Sequence, residues 1–281
     1  MSEKTVPDAD IYDPDFARKA EQAYRRLVLG GQGALLVGIL LLWHFGSGVL
    51  FDPFYMGSPL GVAGVLIADL ASPRFYNDLW VTGVEMGLGY LAGGIGGIVL
   101  GVALSQWRLA ADILDPYFSA LNSIPRIALA PLLVIWFGID LMPKIVLAAT
   151  LVFFLTFYCT LSGIREVDKA LINVARVVGS TERQIFRHVI LPGASAWIIS
   201  GLKMSLPYAL IGVIVGEFLI ASSGLGYRLN AYSTSYNTNG TFAMLLVMMA
   251  LMMGLNALVS ALERRVLRWR GDVLDQSGAA Y

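Results

Sequence analysis

Charge is scarce in this sequence. Asp, Glu, Lys and Arg make up 14% of its 281 residues, where a soluble domain carries about 25%. There is one cysteine, Cys159, so no disulfide can form within the chain. Set in an apolar run, that thiol reads as a small buried hydrophobe. The two histidines, His44 and His188, are far apart in sequence and make no metal-ligand cluster. No G-x-x-x-x-G-K-[ST] stretch occurs, which excludes a nucleotide-phosphate loop of the P-loop kind. Net charge is zero, so no basic field invites nucleic acid. No catalytic residue set, metal or cofactor is expected. No cleavable leader is expected either: mostly polar residues precede the first apolar run, and that run is too long for a signal-peptide core.

Apolar residues are in excess, at 57% of the chain against about 45–50% for an ordinary domain. The surplus has to face lipid. A membrane-crossing helix needs about 20 mainly apolar residues, and six stretches supply them: Val28–Leu50, Leu79–Leu104, Pro116–Ile139, Ile145–Gly163, Ala196–Ser222 and Thr241–Leu262. The expectation is an all-α membrane protein of six transmembrane helices.

Lys and Arg set the orientation. Lys4, Arg18, Lys19, Arg25 and Arg26 lie in an arm over residues 1–27, and Arg108 follows the second span. Arg165, Lys169, Arg176, Arg183 and Arg187 follow the fourth span, and Arg264, Arg265, Arg268 and Arg270 lie in a tail over residues 263–281. The opposite side holds only Arg74, Lys144 and Arg228. Both termini are therefore expected on the cytoplasmic side.

Within the second span, Gly89, Gly93, Gly97 and Gly101 recur every four residues. That spacing lines one face and admits a close helix neighbour, either for packing or for sliding. The third span holds Pro125 and Pro131, each of which removes a helix hydrogen bond. Broken backbone at membrane depth has to be covered by protein or a water-filled cavity, so this span either lines a pathway or is a packed, kinked helix.

Between the fourth and fifth spans, residues 168–192 have helical period. Ala170, Leu171, Val174, Ala175 and Val178 share a face, with Lys169, Asn173 and Arg176 between them. Gly179 suits a left-handed helix end. Thr181 with Gln184 fits a capping box opening a second helix, which carries Ile185, Phe186 and Val189 on one face. Pro192 is expected to mark a turn into the fifth span. Such an amphipathic elbow either lies on the headgroups or inserts into a groove on a partner protein.

This elbow resembles the permease subunits of bacterial ATP-binding-cassette importers. Their pattern is E-A-A, three residues, Gly, nine residues, I-x-L-P; here it reads Asn173-Val174-Ala175, Gly179, then Val189-Ile190-Leu191-Pro192. The spacing matches, with Asn173, Val174 and Val189 departing in residue type. "PRIALAPLLVIWFGI" and "ASSGLGYRL" are similar to the nitrate, sulfonate and taurine branch of that family. The resemblance covers about residues 78–262 and implies the type I core of five helices, with the first span added before it. It implies that the elbow (Asn173, Ala175, Arg176, Gly179, Ile185, Phe186, Leu191 and Pro192) docks on an ATPase subunit. It also implies two copies of this chain, two ATPase subunits, an extracytoplasmic substrate-binding protein, a bacterial inner-membrane location and a small, anionic solute. ATP hydrolysis would belong to the partner, leaving this chain without a catalytic site. The alternative is a secondary transporter driven by an ion gradient; such folds show inverted repeats and midplane charges, whereas here the halves show no clear repeat and intramembrane charges are few.

Four charged residues fall inside the spans: Glu85, Arg126, Lys203 and Glu217. Pathway residues are expected at Pro125, Arg126, Pro131 and Glu217. Arg126 would meet an anionic head group with paired hydrogen bonds, or snorkel to the headgroups from near the cytoplasmic end. Glu217 would gate, pair with Arg228 or cap a neighbouring backbone. Residues 224–240 would contact the binding protein or simply connect two spans.

Overall fold

In the computed structural model, residues 14–266 are described. Lys4 of the basic arm, with Arg268 and Arg270 of the tail, lies outside them. Among the described residues the regular elements are helices, with one isolated bridge between Ser47 and Phe51. Residues up to Gly64 form one compact unit and residues from Val65 another.

In the first unit, α1 (Pro14–Gly46) begins well inside the expected polar arm. From Gln22 on it is an apolar span with leucines exposed all along it, as a lipid-facing helix requires. Asp52 caps the short α2 (Pro53–Met56) by accepting from the Phe54 N–H at 2.9 Å. The Trp43 indole donates to the Met56 carbonyl at 3.0 Å, and the Ser47 hydroxyl to the Gly57 carbonyl at 2.9 Å. These bonds fold the connection back on the end of α1.

The chain continues through α3 (Pro59–Leu70), α4 (Pro73–Gln106), α5 (Arg108–Ser123), a 3₁₀ turn at Arg126–Leu129, and α6 (Ala130–Phe137). Then come α7 (Leu141–Arg165), α8 (Lys169–Val177), α9 (Glu182–Ile185), a π turn at Phe186–Ile190, and α10 (Leu191–Ile220). The last two are α11 (Leu225–Thr234) and α12 (Thr238–Val266).

Among the described residues, six helices are long and apolar enough to cross a membrane, including Pro53–Leu70. That stretch was not among the expected spans. It is broken at Gly57, where φ is +62, and α3 alone covers about 18 Å at about 1.5 Å per residue, short of a hydrocarbon core of about 30 Å. The third expected span differs as well. It starts earlier, at Arg108, and bends by 79° between α5 and its continuation from Arg126. The bend falls at Ile124-Pro125: the residue before a proline is pushed to extended backbone, and Ile124 has φ −67 and ψ 128. Pro131 breaks nothing, because it lies in the first turn of α6, where no helix hydrogen bond is lost.

The centre of the second unit is α7, gripped by glycine faces on both flanks. A methyl group at Gly89 would stand 2.7 Å from Ala148 Cβ, and one at Gly101 2.9 Å from Thr160 Cβ. On the α10 side, a methyl at Gly201 would meet Cys159 Cβ at 2.6 Å and one at Gly212 would meet Ala148 Cα at 2.7 Å. In lipid, helices associate through such close van der Waals contact. Thr156 and Thr160 lie buried in the same seam, and their hydroxyls donate to the Val152 and Thr156 carbonyls at 2.9 and 2.7 Å. Their polarity is thus satisfied within the helix.

Candidate functional site

The elbow forms as its residues dictate. Asp168 opens α8 by accepting from the Ala170 N–H at 2.7 Å. Gly179 has φ +86, and the helix closes with two reversed bonds, Gly179 N–H to the Arg176 carbonyl at 2.9 Å and Ser180 N–H to the Ala175 carbonyl at 3.0 Å. This is a Schellman end, which needs a left-handed residue at that position. Nothing lies within 4 Å of where a Gly179 side chain would start, so the demand is conformational alone. Thr181 and Gln184 form the reciprocal capping box. Arg176 bridges the bend to Glu182 at 3.0 Å, both side chains largely exposed.

Ile185 anchors the elbow, at 1% exposure. Phe186 and Pro192 are half-buried, Ala175 likewise, and Asn173 and Leu191 are exposed. Apolar side chains stand in the open along α8: Leu171 is 57% exposed, Val174 62%, Val177 88% and Val178 78%. Val177 was not among the expected elbow residues. Pro192 does not make the expected turn: Glu182–Ile220 runs on as one span, with Pro192 in the first turn of α10. The π turn just before it supplies the looser hydrogen-bond register that lets a helix pass a proline.

Arg126 lies deeper than its place in the sequence suggests. Its guanidinium sits 4.4 Å above the centre of the Phe154 ring. Phe154 is near the middle of α7, about 16 Å or more from either helix end at about 1.5 Å per residue. The guanidinium thus reaches the middle of α7 rather than either of its ends. Nη2 of Arg126 donates to the Asn122 carbonyl at 3.2 Å and also to the Asn122 side-chain oxygen. Its Nε is buried and has no acceptor. A pocket of about 220 Å³ opens beside it, lined by Asn122, Arg126, Leu151, Phe154, Leu155, Tyr158 and Tyr208. Residues of α5, the 3₁₀ turn, α7 and α10 converge there. Pro125 and Pro131 are exposed and are not among the lining residues.

Glu217 is not at this pocket. It is 1% exposed near the C-terminal end of α10, where it accepts from the Thr82 hydroxyl at 2.6 Å and from the Gly226 N–H at 2.6 Å. Of its expected roles, capping a neighbouring backbone matches these bonds; the pairing with Arg228 does not occur. Arg228 instead grips Asp69 at 2.6 Å and Asp78 at 2.7 Å. Burial opposes its charge, but the bonds and charges of Asp78 and Asp69 outweigh that and raise its pKa further. Asp78 also accepts from the Gly224 N–H at 3.0 Å, and Tyr232 donates to Asp69 at 2.9 Å. Lys144, expected in a loop, is 5% exposed in the first turn of α7 and paired with Glu85. Lys203 pairs with Glu263 at 3.0 Å. The stretch after Gly224 is therefore no simple loop: α11 is a helix clamped to the start of α4.

Residues 93–268 match the family described as binding-protein-dependent transport system inner membrane component. The chain belongs to this family. It is 34% identical over 238 residues to an Escherichia coli protein described as an aliphatic sulfonates transport permease, SsuC, covering 84% of this chain and 90% of that one. It is 29% identical over 247 residues to the E. coli taurine transport system permease protein TauC, covering 86% and 90%. An amino acid ABC transporter structure has the same fold, with a TM-score of 0.59 at 19% identity over 72% of this chain and 98% of that one. The protein is a multi-pass inner-membrane permease of the ABC transporter class, and the regular elements among its described residues are helices.

Proposed function

We propose that two copies of this permease form the pathway of an importer for a small organic anion of the sulfonate or taurine type. One ATPase subunit docks on each elbow, and an extracytoplasmic binding protein delivers substrate at the end that carries α11. Both termini face the cytoplasm, as the distribution of Lys and Arg indicates. The pathway runs past Arg126. The observation that carries the reading is the open apolar row Leu171, Val174, Val177 and Val178 on a helix closed firmly at both ends. Such a row costs solvation until something covers it, and an amphipathic helix laid in a groove is a standard mode of protein recognition. Headgroups could cover the same row, but the family's dependence on partner proteins favours a groove.

Co-expression with the ATPase tests this. Val177→Asp and Gly179→Val should each leave the permease inserted and strip most of the co-purifying ATPase. Unchanged ATPase binding together with normal uptake would overturn the docking role. Reporters near Glu166 and Ser72 should report opposite sides, with Glu166 cytoplasmic; the same side for both would overturn the orientation. Uptake should stop when ATP is depleted and persist when ion gradients are collapsed.

A further inference from the structure

Three charged side chains lie buried together near α11, and their charges do not balance. Glu85 of α4 and Glu217 of α10 are closed off from solvent, and Lys144 of α7 nearly so. We propose that this cluster holds a proton: Glu85 is a neutral carboxylic acid whose Oε2–H donates to the Glu217 carboxylate. The proton then completes a chain of polar contacts from Lys144 through Glu85 and Glu217 to the backbone of Gly226, across α7, α4, α10 and α11.

The bonding pattern carries the proposal. Glu217 accepts from the Thr82 hydroxyl on Oε1 and from the Gly226 N–H on Oε2. Glu85 accepts from Lys144 on Oε1, while its Oε2 is buried and has no partner. The Glu85 and Glu217 side chains are within hydrogen-bonding reach of each other. Two ionised carboxylates only accept, so neither can supply the hydrogen for a bond between them. One proton supplies it, and every oxygen of the pair is then bonded. The proton belongs on Glu85, because both Glu217 oxygens already have donors and Glu85 Oε2 has none.

Charge leads to the same proton. Two carboxylates against one ammonium leave a negative charge buried without a partner, which is costly. Asp140, just before α7, adds a further negative influence on Glu85. On the neighbouring elements, Arg228 of α11 is engaged by Asp69 of α3 and Asp78 of α4. Lys144 is the only cation among the described residues that acts on either carboxyl. With the proton in place, Lys144 and Glu217 balance one to one. Packing disfavours a larger cation beside Glu217. A methyl group at Gly224 would collide with its carboxylate, and one at Gly226 would stand 2.8 Å from its Cβ. On the other side, a methyl at Gly216 would stand 2.8 Å from Lys144 Cγ. The Gly224-Leu225-Gly226 stretch is thus built to lay bare backbone against Glu217.

The test is infrared spectroscopy of the purified permease–ATPase complex in nanodiscs at neutral pH, parent against Glu85→Gln. The parent-minus-variant spectrum should carry the carbonyl stretch of a protonated carboxylic acid. Carboxylate stretches in its place would mean that Glu85 is ionised and would overturn the proposal. Stability supplies a second reading. Glutamine can accept from Lys144 with its oxygen and donate to Glu217 with its N–H, as the protonated acid does. Glu85→Gln should therefore melt within about 2 °C of the parent and leave hydrogen exchange at the Gly226 amide unchanged. Glu85→Leu, which can do neither, should melt about 4 °C or more below the parent and speed that exchange at least about tenfold. Failure of Glu85→Gln to fold, or equal melting of the glutamine and leucine variants, would each overturn the proposal.

Discussion

Arg228 and Arg126 both follow a break in the helical chain, and they are partnered in opposite ways. Arg228, at the α11 end, has Asp69 and Asp78 on its guanidinium, and those acids also accept from Tyr232 and from the backbone of Gly224. Beside it Glu217 takes donors from Thr82 and Gly226. Arg126, beside the middle of α7, has a neutral amide, an aromatic face and a buried nitrogen with nothing to bond. A buried charge whose partners are all present holds structure, because removing any one of them strands the others. A charge met only by neutral groups is left with capacity for a ligand. The elbow repeats the second pattern in apolar form, with one buried anchor, Ile185, and four open side chains.

This contrast makes graded predictions. The largest loss should come at the clamp. Arg228→Ala strands Asp69 and Asp78 and should lower stability by about 3–5 kcal/mol, read as a fall in thermal midpoint of the purified permease. Arg126→Gln should stay within about 1 kcal/mol of the parent. Equal losses for the two would erase the distinction. Next is Glu217→Gln, which offers one acceptor oxygen where two are used. About 1–3 kcal/mol should be lost, with faster hydrogen exchange at the Gly226 amide; an unchanged exchange rate there would remove Glu217 from the clamp.

Gly179→Ala sharpens the contrast at the elbow. The site is open, so only the left-handed backbone is penalised, by about 1 kcal/mol. Exchange at the Gly179 and Ser180 amides should rise while the global midpoint holds. Smallest of all is Arg176→Ala. An exposed pair of this kind contributes about 0.2–1 kcal/mol, so melting should be nearly unmoved, and a large drop would mean that the elbow is more tightly braced than its exposure indicates.

Much of this was legible in the sequence for local reasons. The glycines of α4 face α7 because their spacing matches the helix period. Gly179, Thr181 and Gln184 act through neighbours within a few residues, so their roles read directly from spacing. What escaped was long-range or too short. Arg228 meets Asp69 and Asp78 from far along the chain, and nothing near it in sequence names them. Lys144 counted as a loop charge because its partner Glu85 is on another helix. The helix α3 is shorter than a span, so a search for spans passes over it. Arg126 looked superficial because the bend at Pro125 that carries it inward is a three-dimensional fact, and its companions Phe154 and Tyr208 come from two other helices. Val177, seven residues after Ala170 and three after Val174, lies on the face that helical period selects, so its spacing could have placed it there.

The most direct test of the central claim, that solute passes Arg126 and ATP drives it through the elbow, is uptake per assembled complex in vesicles, with binding protein and ATP in excess. Arg126→Gln should assemble with the ATPase as the parent does and lose most of its transport, while Arg126→Lys keeps part of it. Near-normal transport per complex by Arg126→Gln would contradict the account and leave Arg126 as a packing residue against Phe154.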